Sequence, residues 1–254
     1  MRKLGLFLAI CFSTLTVILA GGPSAQAIVG GKDATKPYSF MVSIQQEREG
    51  TLLHDCGGSL ISPSWVLTAR HCLDSEEEVP EKIRIGSLRW ASGGTTRTAE
   101  RIVLHPDGTD VYDIALIKLN APVTNTPIRI GAAPAEGLPV RLLGWGCTRP
   151  DIFLCAEPPA VLQQLDSQIR PDSTCDPSGG PVNPGWEVCT GNPEAQEGPC
   201  RRDSGGPLVT PTPSGWRLVG TFNRMSPSCD AGAGVYANAP AHRTWIESIT
   251  GPLP

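Results

Sequence analysis

The stretch "GPCRRDSGGPLV", Gly198 to Val209, sets Ser204 between an aspartate and two glycines, with Arg201 and Arg202 immediately upstream. A free hydroxyl is a poor nucleophile near neutral pH. It attacks only when a base lies within hydrogen-bond reach and a third group orients that base. If Ser204 is a nucleophile, the rest of the chain must supply a histidine and a carboxylate at special places.

Four histidines are available: His54, His71, His105 and His242. His71 lies in "VLTARHCL", at the end of an apolar run and beside a cysteine. Asp113 opens the apolar stretch "DIALIKL", where a carboxylate is costly unless something uses it. One His, one Asp and one Ser thus stand at special positions, in that chain order. His105 and His242 read as solvated surface residues. His54, two residues before Cys56, reads as a structural hydrogen-bonding residue.

Composition narrows the setting. The chain has 254 residues, of which 40% are hydrophobic and 18% charged, enough to bury a core. Twenty-eight glycines and 25 prolines favour short strands and turns over long helices. The net charge of -4, with no basic stripe, argues against nucleic acid as a partner. Arg2 and Lys3 precede the uncharged run Leu4 to Ala20, which is short for a membrane span and is broken by Gly21, Gly22 and Pro23. Ala25-Gln26-Ala27 completes the small-x-small pattern of a signal-peptidase site. Residues 1–27 therefore read as a signal peptide, with the mature chain from Ile28 secreted and free of the membrane. Cleavage after Ala20 instead would leave 21–27 as a short propeptide.

Beyond the signal, Cys56, Cys72, Cys147, Cys155, Cys175, Cys189, Cys200 and Cys229 remain. An even count in an exported chain reads as four disulfides, with on the order of a hundred connectivities open. Cys-x-x-Cys does not occur, so a zinc site is disfavoured. The acidic run "SEEEVPE", Ser75 to Glu81, lacks the alternating ligands and turn glycine of a known calcium loop and reads as a solvated loop. No metal or cofactor is expected.

From Ile28 the pattern is strands and turns. "PYSFMVSIQ" alternates partly. "GGSLISPSWVLTA" is two apolar runs around a turn, and "KIRIGSLRW" alternates cleanly over Lys82 to Trp90. "DIALIKL", "VRLLGWG" and "WRLVGTF" add further strands. Asn120 to Gly137, rich in proline and small residues, reads as a connection between two β halves. Only Ala241 to Thr250 looks helical.

Five stretches in order resemble the chymotrypsin (trypsin-like) family of serine proteases over essentially the whole mature chain. They are "IVGG" at Ile28, "CGGSLISPSWVLTARHC", "DIALIKL", "GWG" at Gly144 and "DSGGP"; "GVYANAP" at Gly234 and the final helix also fit. The resemblance implies an all-β fold of two antiparallel six-stranded barrels and a C-terminal helix. The first barrel would run over about 28–130, the second over about 131–240 and the helix over about 241–250. It implies His71, Asp113 and Ser204 as a catalytic triad, with polypeptide substrates, protein inhibitors as partners and a monomeric state. The backbone N–H groups of Arg202 and Ser204 would hold the oxyanion, and Asp203 would pair with the ammonium of Ile28. It implies the bridges Cys56–Cys72, Cys175–Cys189 and Cys200–Cys229, which leaves Cys147–Cys155.

Two departures from the family pattern matter. Arg202 stands where the family has glycine; if its φ is positive, a non-glycine residue costs about 1–3 kcal/mol there. A side chain at that place can weaken the oxyanion hole or project over the leaving-group side and select acidic or small residues. The pocket base is Gly198, flanked by Pro199, with Gly234 on the opposite wall and Asn223, Arg224 and Met225 along the edge. A glycine base implies uncharged, small to medium residues before the scissile bond. Glu197 is the nearby rival for a basic residue, which would make the enzyme a cutter after Lys or Arg. A protease-fold binding protein with weakened turnover is the other alternative.

Overall fold

Clean alternation is what a strand with one buried face requires. In the computed structural model Ile83 and Ile85 are fully buried while Lys82 and Arg84 are only partly so. Each such isoleucine contributes about 1.5–3 kcal/mol on burial. The structure describes residues 28–73, 79–108, 112–149, 158–175, 180–225 and 228–254. The expected signal peptide, Cys155 and the start of the acidic run lie outside the described residues.

The strands in chain order begin with β1 (Lys32–Asp33), β2 (Met41–Arg48), β3 (Thr51–Ser62), β4 (Trp65–Thr68), β5 (Lys82–Ile85), β6 (Thr95–Arg97), β7 (Ala99–Leu104) and β8 (Ala115–Leu119). They continue with β9 (Arg129–Ile130), β10 (Pro139–Gly144), β11 (Gln163–Arg170), β12 (Glu187–Gly191), β13 (Pro207–Thr212), β14 (Gly215–Met225) and β15 (Ala233–Asn238). One helix, α1 (Arg243–Thr250), follows.

Two sheets result. The first runs β6-β5-β2-β3-β4-β8-β7, all antiparallel. In the second, β11-β10-β13-β14-β15-β12 closes on itself because β12 also pairs with β11, giving a six-stranded barrel. Among the described residues the second sheet is a closed barrel and the first a seven-stranded half-barrel, an all-β arrangement consistent with the fold that the resemblance implied. Closure removes the unpaired edges that an open sheet would present.

The chain ends cross over between the halves. β1 pairs with β11, and Ile28 is buried in the core of the second sheet with Val140, Leu142 and Leu165. At the other end, Ile246 of α1 is fully buried in the core cluster that includes Ile83, Leu116 and Ile117 of the first sheet. The proline-rich segment after β8 is mostly connection, but β9 within it pairs in parallel with β14 and pins the crossing.

Three bridges are as the resemblance implied: Cys56–Cys72, Cys175–Cys189 and Cys200–Cys229. Cys147 is buried and disulfide-bonded. Two expectations need correction. "KIRIGSLRW" forms a strand only to Ile85, because Gly86 takes a positive φ of 70° and turns the chain. His105 and His242 are buried, at 5% and 1% exposure, rather than solvated. His105 stacks on Tyr112 and leans on Trp245, while His242 meets Trp186 and Tyr112. Burial drives both rings below the usual histidine range, His242 to about 4.

Candidate active site

β4 runs directly into a single tight helical turn, Arg70–Cys72, which carries His71. Cys72 is tied to Cys56 on β3, so the turn is anchored at its far side. β8 follows Asp113 and pairs with β4, with Ala115 opposite Thr68. That register brings the carboxylate back beneath the histidine. Asp113 Oδ1 accepts from the His71 backbone N–H at 2.8 Å, and its Oδ2 lies 2.7 Å from His71 Nδ1. The Asp113 side chain is 3% exposed and that of His71 40%. Both oxygens of Asp113 are thus turned to His71, one at its backbone N–H and one at ring Nδ1.

β3 also holds the Ser204 turn. One residue beyond Cys56, Gly57 N–H donates to the Ser204 carbonyl at 2.7 Å. The same strand therefore fixes both the His71 turn and the Ser204 turn. On the other side, Gly205 N–H donates to the Phe222 carbonyl and Phe222 N–H to the Gly206 carbonyl, at 2.8 and 2.9 Å. Ser204 is thus bracketed by β3 and β14. Gly205 has φ 75°, and a Cβ there would fall 2.1 Å from Thr68 Oγ1. No residue with a side chain fits at Gly205.

Asp203 is buried at 3% exposure. Its Oδ1 accepts from Gly146 N–H and its Oδ2 from Cys200 N–H, at 2.8 and 2.9 Å. Burial pushes its carboxyl up to about 7, against the pull of those two bonds. Ile28 is fully buried in the second-sheet core, and Val29 next to it forms a bridge with Gly198.

Arg202 adopts φ 69°, the left-handed region that favours glycine. Its carbonyl lies 3.0 Å from His54 Nε2, and His54 Nδ1 lies 2.8 Å from Ser43 Oγ. A carbonyl only accepts, so Nε2 bears the proton and Nδ1 accepts from Ser43. The expected structural role of His54 is this bracing of the Arg202 peptide. Full burial holds its ring down at about 3.

The pocket residues lie where β12, β14 and β15 converge. A Cβ on Gly198 would come within 2.7 Å of the Gly232 carbonyl carbon, so no side chain fits at the base. Pro199 packs on Gly234, where a Cβ would approach the proline Cγ to 2.4 Å. Met225 pairs with Gly234 across the strands, and its Sδ lies 3.1 Å from Cys229 Sγ. Glu197 turns away: its Oε2 accepts from Asn192 Nδ2 at 3.3 Å, and its side chain lies against Gly30.

Sequence reasoning missed Glu187. Its side chain is 0% exposed. Oε2 accepts from Asn183 N–H and Nδ2, both at 2.9 Å, and from Arg224 Nη2 at 3.0 Å. Oε1 accepts from Asn223 Nδ2 at 3.1 Å and from Arg224 Nη1. The signal was present in "WEVCTG", a lone carboxylate on an otherwise apolar strand. No pairing rule points from there to Arg224, which lies 37 residues on.

The family model described as Trypsin matches residues 28–246. The chain belongs to the trypsin family. It is 36% identical to "Trypsin delta" of Drosophila melanogaster over 235 residues, 87% of each chain. It is 36% identical to "Trypsin alpha-4" of Lucilia cuprina over 234 residues, covering 87% of this chain and 86% of that one. "Chymotrypsin-like elastase family member 1" of Canis lupus familiaris is 31% identical over 243 residues, covering 87% and 92%. As a member of the trypsin family the protein is a serine endopeptidase, a hydrolase acting on polypeptides.

Proposed function

We propose that Ser204, His71 and Asp113 perform the reaction, in a secreted, monomeric enzyme whose mature chain starts at Ile28. The observation that carries this reading is the double grip of Asp113 on His71, at the ring and at the backbone, beside a serine bracketed by β3 and β14. His71 Nε2 takes the Ser204 proton as the hydroxyl attacks the scissile carbonyl. The same nitrogen returns a proton to the leaving amine, and the acyl-enzyme is then hydrolysed by water activated in the same way. Asp113 keeps Nδ1 protonated and stabilises the imidazolium. The N–H groups of Arg202 and Ser204 stabilise the oxyanion.

Along β14 the pairing with β13 ends at Thr221, while Asn223 to Met225 lie beside β15. The acyl part of a substrate is expected to run along this segment as an extra strand. At the pocket base, Gly198, walled by Pro199 and Gly234, supports uncharged, small to medium residues before the cut, and the outward turn of Glu197 supports the same preference. Protein inhibitors that present such a segment are expected to bind there.

The test is a peptide-library profile of the purified chain starting at Ile28, run beside Ser204→Ala. The variant is expected to lose roughly 10⁴–10⁶ in kcat while keeping its circular dichroism. Equal cleavage by both proteins would overturn the assignment of Ser204. Dominant cleavage after Lys or Arg would overturn the pocket reading alone.

A further inference from the structure

The Arg202 guanidinium is half-buried two residues before Ser204, yet makes no hydrogen bond or ion pair among the described residues. Its Nη1 is closed off from solvent and has no partner. The charges acting on it are Asp55, which favours the cation, and Arg48, which opposes it; burial weighs more than either. Asp55 is already engaged, since its Oδ2 accepts from Arg48 Nη2 at 3.3 Å. A cation taken partly out of water without a partner is costly, and such a group is a candidate for an anion that arrives from outside.

Its place fixes which anion. Asp55 and Arg48 lie on β3 and β2, and His54 of β3 braces the Arg202 carbonyl. Arg202 therefore lies on the β3 side of Ser204, and β14 holds the other side of that turn. If the acyl part of a substrate follows β14, the leaving part crosses β3. We propose that Arg202 recognises an acidic side chain within the first two residues after the scissile bond of a polypeptide substrate. This rests on the reading of Ser204 as nucleophile. A substrate carboxylate would supply the missing counter-charge through a charge-assisted contact with the part of the guanidinium that still faces solvent. It would also grip the residue whose backbone N–H faces the oxyanion, so part of the gain falls on kcat.

The experiment compares peptides identical up to the cut and carrying Asp, Asn or Lys at each of the next two positions. The wild type is expected to favour Asp over Lys by about tenfold or more in kcat/KM, which is 1.4 kcal/mol or more. The preference should shrink as salt rises. Arg202→Gln should flatten the Asp/Lys ratio and Arg202→Glu should invert it. The ratio within one variant cancels any change in the oxyanion hole itself. If the variants are too slow to measure, partition of a preformed wild-type acyl-enzyme between water and aspartyl or lysyl amides reads the same subsite. Faster capture by the aspartyl amide supports the proposal. Equal rates for Asp, Asn and Lys in a wild type that is active while Ser204→Ala is not would overturn it and leave the protease reading intact. Retention of the Asp preference in Arg202→Glu would assign it elsewhere.

Discussion

Two arginines, Arg224 on β14 and Arg202 just before Ser204, are held in opposite ways. On the β14 side, Arg224 lies on Glu187, whose fully buried carboxylate also receives Asn223 and Asn183. On the β3 side, the Arg202 guanidinium is half-buried with no partner among the described residues, on a backbone better suited to glycine. The first is a closed ion pair that shapes an edge. The second is an open valence at the point of reaction. Residue type is the same in both, and what separates them is whether the fold supplies the counter-charge.

Removing that counter-charge is the largest test of the contrast. Glu187→Ala removes the carboxylate that Arg224, Asn223 and Asn183 share and should cost about 3–5 kcal/mol. Urea unfolding measures it, and a loss under about 1 kcal/mol would mean the pair does not hold the β14 edge.

Asp203 repeats the open case on the anionic side, with about 7 for its carboxyl against an unfolded value of about 4. The folded chain binds the proton more tightly than the unfolded one, so this contribution to stability is present below about pH 4 and lost as pH rises through about 7. A chain extended before Ile28 should show that loss. A chain beginning at Ile28 should not, if its ammonium supplies the missing charge. Thermal melts across the window separate the two forms, and identical profiles would count against the pairing of Ile28 with Asp203. Sequencing the N-terminus of the secreted form decides between Gly21 and Ile28.

His54 gives a smaller effect of opposite sign. Its folded value of about 3 lies below an unfolded value of about 6.5, so stability is lost as pH falls from 6.5 toward 3. Protonation would take away the acceptor that Ser43 uses. His54→Gln should flatten part of the acid limb of a melting profile; an unchanged limb would assign acid lability to His242 instead.

The smallest change expected is a gain. Arg202→Gly removes both the strained φ and the unpaired cation and should stabilise the fold by about 1 kcal/mol. A destabilised glycine variant would show that the guanidinium is held by something in the folded chain, and the contrast with Arg224 would close.

Much of this was legible in the chain itself. The strand runs followed from local pattern, while three disulfide pairings came from the family resemblance, which also proposed Ser204, His71 and Asp113 through one order of short motifs. β9 and the early end of β5 were not legible, since two-residue pairings and single turn glycines carry little pattern. His105 and His242 were misread because a histidine in a polar-looking stretch gives no sign of the aromatic side chains that will cover it. Those partners, Tyr112, Trp186 and Trp245, come from three separate segments.

The sequence by itself pointed to the family and the strand-rich fold, and it singled out Ser204, His71 and Asp113 as candidates for the catalytic positions, since those readings rest on local chemistry and motif order. Only the tertiary structure decided which charges are paired. Arg224 on β14 found Glu187 on β12, while Arg202 found no counter-charge of its own among the described residues. Pairing is settled by distance and burial in three dimensions, and neither is written in the spacing of residues along the chain.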